Sequence, residues 1–333
     1  MSSTFESIPE MPFHSGLTRV QVARAERGQF QALLHELRWL IPGFALRLGD
    51  KSGKGWLRNN CSPYVNEVAE LADILGAGTY TLNTGYEWCC TAFVRASADG
   101  TPVMHRVLDW SLTMGKFMYV AEYETPHGPY HDINWPGNSG MINGLAPGRF
   151  VIAINQAPIP MHLGIGPIGG IFDWAIQRRK TFRSHDWPPT HLLRHVFETA
   201  PDYQTAREML QRTPLAIPVI FTICGTRTGE ACVIERTETD AYIVADNVCT
   251  ANHWQNPNWR GHARPIKSRA RLVAAKSAPS SIPNFTWLKK PILNSHSIMA
   301  FQADTRGNAE IITMAHGNKM QSQLKIGPNH NKP

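Results

Sequence analysis

Two apolar runs separated by Asp99-Gly100 constrain the fold of this chain more than any other feature. Residues 91–98 are rich in small, β-branched and apolar side chains, and residues 102–110 resume an apolar run. Asp-Gly is a dipeptide that type I′ turns prefer, so the segment is predicted to be a β-hairpin. With a two-residue turn, paired positions sum to 199 and Cys90 falls opposite Asp109. Arg106 then has the other side-chain parity and needs a bulge or a strand end to share a face with Cys90. The hairpin therefore supports Asp109 as a partner of Cys90 better than it supports Arg106. A thiol, a permanent cation and a carboxylate gathered on one hairpin suggest a nucleophile.

Other strands are expected at 150–156, 219–224, 231–236, 241–245, 295–302 and 309–314, where β-branched and apolar residues cluster between turn signals. Helical spacing of Phe30, Leu33, Leu34, Leu37, Leu40 and Ile41 predicts a helix that Pro42-Gly43 ends, and a second helix is expected over 64–75. Further helices are expected at 170–179, 190–199, 203–211 and 265–276, and residues from Gly317 onward read as a polar tail. Strands in hairpins and helices in runs favour an antiparallel α+β layer protein over a βαβ nucleotide fold, and the chain carries no glycine-rich phosphate loop.

At 333 residues, 42% hydrophobic and 18% charged, the chain can bury one sizeable core, with or without a prosegment. The net charge of +7 is spread over scattered Lys and Arg without interleaved aromatics, which argues for a solvated surface and against a nucleic-acid partner. Six cysteines without a C-x-x-C pair, behind a start that lacks a signal peptide, give a reduced, cytoplasmic location as the default. The longest uncharged stretch, 150–172, is broken by three prolines and four glycines, so it reads as a strand and an apolar loop rather than a membrane span. The apolar helix stripes could make weak contact with a membrane surface, although such stripes more often pack on a core. His253, His262 and a cysteine have no known zinc-ligand spacing, and no metal is expected.

Several segments together resemble the N-terminal nucleophile (Ntn) hydrolases of the choloylglycine hydrolase and acid ceramidase group. Tyr86-Glu87 ahead of Cys90-Thr91 is similar to the cleavage junction of acid ceramidase and the N-acylethanolamine acid amidases, and His105-Arg106-Val107-Leu108-Asp109 resembles their G-R-N-x-D segment. Gly140-Met141-Ile142-Asn143-Gly144 with Pro147-Gly148-Arg149-Phe150 resembles their G-M-L-T-G and P-G-x-F run. The 229–236 stretch resembles their G-E-G-x-V-I-x-R hairpin, and Thr250-Ala251-Asn252-His253-Trp254 a T-N segment with Ala251 as one extra residue. The order of these segments makes the resemblance specific over about 82–275.

The resemblance implies a four-layer α/β/β/α sandwich behind an N-terminal helical prosegment or α-subunit. It also implies that the chain cuts itself between Cys89 and Cys90, giving residues 1–89, which remain a partner, and a catalytic portion, 90–333. The freed α-amine of Cys90, with an ordinary pKa of about 7.7 to 8.0, would serve as base for its own thiol, so no Ser-His-Asp or Cys-His pair is needed. Arg106 would hold positive charge at the thiol, Asp109 would orient the α-ammonium, and Asn252 would bind the oxyanion. Asn155 matches an asparagine near the nucleophile and Arg269 an active-site arginine, although a solvated basic helix face competes for 260–271. Gln156 replaces a glutamate of the acid ceramidase-like sequences, which weakens any analogy to an acidic optimum. Cys89 is rejected as nucleophile because Cys, not Thr, would follow it.

The resulting expectation is a cofactor-independent amidohydrolase forming an acyl-Cys90 thioester with an N-acyl, lipid-like small-molecule substrate. Ile159, Met161, Leu163, Ile165, Ile168 and Ile171 would offer an apolar pocket wall or simply join the core. Acyl transfer to an amine and non-catalytic lipid binding are the alternatives; the oligomeric state is not legible.

Overall fold

The computed structural model describes residues 8–38, 41–85, 88–110, 114–163, 166–279, 284–315 and 318–327. Two antiparallel sheets lie face to face. One runs Cys249–Thr250, Cys89–Ala96, Pro102–Asp109, Ser297–Asp304, Ala309–Ala315, Lys319–Ile326. The other runs Phe13–His14, Tyr119–Tyr123, Tyr130–Asn134, Asn143–Ala146, Phe150–Gln156, Val219–Cys224, Ala231–Arg236, Ala241–Val244, and its first strand joins in parallel. The strands Cys89–Ala96 and Phe150–Gln156 meet across the layer between the sheets, where Cys90, Leu108, Ile152, Ile154 and Phe221 share one apolar cluster. Helix Ser268–Lys276 covers the outer face of the first sheet through Leu272 and Ala275, and Tyr203–Arg212 covers the second. The molecule is an α+β, four-layer α/β/β/α sandwich with a run of helices ahead of it.

The central hairpin forms, but in another register. Ser97 to Thr101 make a five-residue connection, in which the Asp99 carboxylate accepts from the Ser97 hydroxyl and the Thr101 N–H, and Gly100 takes a positive φ of 84°. Paired positions therefore sum to 198: Cys90 lies opposite Leu108, and Cys89 opposite Asp109. A one-residue slip moves every side chain to the other face, so Cys90, Ala92, Arg106 and Leu108 now line the layer between the sheets without any bulge. The expectation that Asp109 sits across from Cys90 and that Arg106 does not share its face is reversed.

Three further differences have local causes. The helix Gly43–Asn59 starts at Pro42, where the sequence reads only as the end of the preceding helix, Arg27–Leu37. Its glycines hide it from a propensity reading, yet Gly49 is required by packing: a Cβ there would meet Thr81 Oγ1 at 2.5 Å. The presumed polar tail contains an edge strand, Lys319–Ile326, that buries Leu324 and Ile326 and exposes Lys325 between them. The apolar loop after Gln156 is shorter than expected, because the helix expected from Gly170 starts at Gly166 and runs Gly166–Thr181. Among the described residues, no helix is long and apolar enough to cross a membrane.

The N-terminal residues do not form a separate body. Met11 N–H donates to Gln323 O, and Gln323 N–H donates to Pro9 O. Arg19 donates to Asp132 Oδ2 at 2.6 Å, with both side chains buried, and Glu67 accepts from Arg194 Nη2 at 2.9 Å.

Candidate active site

Cys90 is fully buried near the head of its strand. Its Sγ lies 3.0 Å from Arg106 Nη2, which also donates to Ile154 O at 2.7 Å on the facing sheet. Arg106 is itself fully buried, its Nε and Nη1 lack hydrogen-bond partners, and among the described residues no carboxylate pairs with it. A buried guanidinium without a carboxylate favours any anion formed beside it, here a Cys90 thiolate. In the continuous chain burial dominates and pushes the Cys90 thiol up, against the lowering effect of Arg106.

Asn252 is the second fixed point. Its Oδ1 accepts from Cys90 N–H at 2.8 Å, and its Nδ2 donates to Gln156 O at 2.8 Å, so the carboxamide bridges the two sheets at the Cys89–Cys90 bond. The extra Ala251 does not displace Asn252 from that bond; the Ala251 carbonyl accepts from Asn155 Nδ2 at 3.1 Å. Asn155 is buried and holds this segment rather than the thiol, and its Oδ1 has no partner. Gln156 Oε1 accepts from Trp88 N–H at 3.0 Å, which fixes the chain just ahead of the bond. Tyr86 and Glu87 lie outside the described residues.

Arg269 does not reach the site. It is exposed on helix Ser268–Lys276, whereas Arg271 on the same helix is fully buried. Arg271 donates to the Cys90 carbonyl, to Thr91 Oγ1 at 2.7 Å, to Asn252 Oδ1 at 2.8 Å and to Ile266 O at 2.7 Å. Periodicity carried a signal for it: Ser268, Arg271, Leu272 and Ala275 form the buried i, i+3, i+4, i+7 stripe, and Arg269 falls off that stripe. Asp109 lies behind the strand, 3.5 Å from Arg271, and accepts from Ser297 Oγ at 2.7 Å and Asn294 Nδ2 at 3.0 Å. It therefore connects to Cys90 through Arg271 rather than directly. Cys89 projects to this rear side, where burial pushes its thiol up to about 12 and its Sγ points at Pro265 O.

The strand end carrying Gln156 opens on a small surface cleft lined by Pro158, Ile159, Trp174, Ile217 and Arg264 among others. Of the expected apolar wall, Ile159 lines this cleft, whereas Met161, Leu163 and Ile171 are exposed. Ile165 and the Ile168 side chain lie outside the described residues. His253 bonds to Ser268, His262 pairs with Asp173, and among the described residues no three His, Cys, Asp or Glu side chains gather as a metal site.

Glu235 anchors the segment after Asn252. Its fully buried carboxylate accepts from Gln255 N–H at 2.7 Å and Asn256 N–H at 3.0 Å, and burial pushes its pKa up to about 7. A carboxyl raised in the folded state stabilises fully below its unfolded value, near 4.5, and loses that contribution as pH rises through 7. Urea unfolding at pH 5 and pH 8 is expected to show wild type losing up to about 3 kcal/mol relative to Glu235→Gln over that interval. Parallel pH profiles for the two proteins would contradict the raised pKa.

Two antiparallel sheets packed face to face between helices, with a cysteine near the head of an inner strand, define the architecture of a cysteine Ntn hydrolase. No protein-family model matches the chain. It is 24% identical to the acid ceramidase of Homo sapiens over 316 residues, covering 84% of this chain and 77% of that protein. It is 25% identical to the acid ceramidase of Macaca fascicularis over 297 residues, 79% and 72% of the two chains. The solved N-acylethanolamine-hydrolyzing acid amidase ortholog of Caenorhabditis elegans shares the fold with a TM-score of 0.50 at 17% identity, over 65% of this chain and 93% of its own. The chain is thus similar to the acid ceramidases over about four fifths of its length and shares the fold of the N-acylethanolamine-hydrolyzing acid amidase ortholog.

Proposed function

We propose that this protein is an amidohydrolase that cleaves the linear carboxamide of an N-acyl, lipid-like substrate through an acyl-Cys90 thioester, after cutting itself between Cys89 and Cys90. The observation that carries the reading is the buried Cys90 Sγ at 3.0 Å from an Arg106 that has no carboxylate partner among the described residues. The relatives named acid ceramidase and N-acylethanolamine-hydrolyzing acid amidase support the amide bond and the acyl substrate.

In self-cleavage the Cys90 sulfur adds to the Cys89 carbonyl carbon and the peptide C–N bond breaks. The Cys90 nitrogen takes the thiol proton, and water then hydrolyses the thioester to free the Cys89 carboxylate. Asn252 Oδ1 already receives the Cys90 N–H and so fixes the nitrogen that leaves. Once released, that amine lies on the same residue as the thiol and accepts its proton near neutral pH. A substrate carbonyl attacked by Cys90 yields the acyl-thioester and the free amine, and water regenerates the enzyme. The buried pair Arg19–Asp132 and the half-buried pair Arg194–Glu67 join the two sides of the cut and keep residues 1–89 bound as a partner.

The test uses purified protein with N-lauroylethanolamine and a fluorogenic N-lauroyl arylamide. The expected results are release of lauric acid and, on rapid quenching, a lauroyl mass increment on the peptide that begins at Cys90. Absence of both with acyl lengths from C8 to C18 would overturn the reading. Adding hydroxylamine separates hydrolysis from acyl transfer: lauroyl hydroxamate as the main product would make the protein an acyltransferase.

A further inference from the structure

Asn252 is held by more than its contacts to the reacting strand, and one of its anchors uses a pair of polar side chains that the proposed reaction does not employ. Its main-chain N–H donates to Ser268 Oγ at 2.8 Å, and the same oxygen lies 2.8 Å from His253 Nδ1. Ser268 and His253 are both buried, at 4% and 8% exposure. The backbone N–H can only donate, so the Ser268 oxygen accepts from it, and its second lone pair or its own hydrogen serves His253 Nδ1. Burial together with Arg269, Arg271 and Lys276 pushes the His253 pKa down to about 4, which keeps the ring neutral near pH 7.

Ser268 is the first residue of helix Ser268–Lys276, and Arg271 of that helix holds Asn252 Oδ1 at 2.8 Å. One helix thus grips Asn252 at two points: the main chain through Ser268 and the carboxamide through Arg271. Gln156 O on the opposite sheet receives the remaining amide hydrogen bond at 2.8 Å. These anchors together leave the carboxamide plane one orientation, with Oδ1 on the Cys90 nitrogen.

We infer that Ser268 and His253 are a positioning pair that sets the Asn252 carboxamide against the Cys90 nitrogen for both self-cleavage and amide hydrolysis. Neither touches the thiol; both act through Asn252. The inference deepens the proposed function and rests on it for the catalytic consequence only, because the placement of Asn252 can be read without any turnover.

The experiment has two arms. In the first, Ser268→Ala and His253→Phe are expected to slow self-cleavage and lower kcat on N-lauroylethanolamine by about 10- to 100-fold, the scale on which a misplaced group reduces rate. KM should stay within about twofold, and Ser268→Thr, which keeps the hydroxyl, should recover most of both rates. In the second arm, hydrogen exchange is followed in the uncut Cys90→Ala chain. Adding Ser268→Ala should speed exchange of the residue 90 and Asn252 amides by about tenfold or more while the strands Val219–Cys224 and Ala231–Arg236 keep their protection. Unchanged exchange at both amides overturns the inference, as does a Ser268→Thr protein no better than Ser268→Ala. If the wild type neither cuts nor turns over, the hydrolase reading fails, and the exchange arm still decides whether the pair positions Asn252.

Discussion

Intact-mass spectrometry of the wild-type chain is expected to give two species, residues 1–89 and 90–333, and of Cys90→Ala a single uncut chain of about 37.2 kDa. The effect should be all or none, because the attacking sulfur has no substitute in reach. Cys89, the adjacent thiol, projects to the far side of the strand, and burial pushes its pKa up to about 12. Cys89→Ala should therefore cut normally, which separates a requirement for Cys90 from a requirement for any thiol at the junction. Arg106→Leu should slow the cut without abolishing the fold, since it removes the charge that favours the thiolate and also relieves a buried guanidinium with two unpaired nitrogens. A Cys90→Ala chain cut at the same bond, or an uncut wild type after long incubation at pH 7 to 8, would remove self-processing from the mechanism.

The elements that were legible in the sequence are those whose pattern is set by burial on both faces. Phe150–Gln156, Val219–Cys224 and Ala231–Arg236 are central strands between helices and the facing sheet, and continuous apolar runs announce them. The hairpin was legible as a hairpin but not in register, because Asp99 bonds back to Ser97 and Thr101 and lengthens the connection to five residues. That single difference decided which of Arg106 and Asp109 shares the face of Cys90. The short strands Tyr130–Asn134 and Asn143–Ala146 went unread because they mix polar residues such as Asp132, Asn134 and Asn143 with apolar ones. Those polar groups are buried in the fold: Arg19 reaches Asp132 across 113 positions, and Asn134 and Asn143 donate to the carbonyls of Gly140 and Ile133. At the candidate site, the motif names Asn252, which the structure sets against the Cys90 N–H, and Arg269, whereas the structure turns Arg271, two residues away, inward. Motif resemblance fixes a segment, but only the period of the buried helix face tells which arginine points inward.

Arg271 accordingly carries the second large prediction. Arg271→Ala is expected to abolish measurable self-cleavage and to destabilise the fold by about 3 to 5 kcal/mol, the range for breaking one side of a buried ion pair. The loss has identifiable parts: the Cys90 carbonyl, Thr91 Oγ1 and Asn252 Oδ1 lose a charged donor, and Asp109 stays buried with only Ser297 and Asn294 as partners. Arg271→Lys should not rescue cleavage, because one ammonium cannot reach the carbonyl, hydroxyl and amide oxygens that the planar fork spans. Arg269→Ala, on the exposed side of the same helix, should change stability by no more than about 0.5 kcal/mol and leave the cut intact. Removing both buried charges in Asp109→Asn with Arg271→Met should restore much of the stability but none of the cleavage, since an apolar replacement of a buried pair is often neutral while the grip on Cys90 and Asn252 is still gone. Urea unfolding and timed intact-mass measurements on these four proteins separate the two roles. A cleaving Arg271→Ala chain, or an Arg269→Ala chain that fails to cut, would return the function to Arg269.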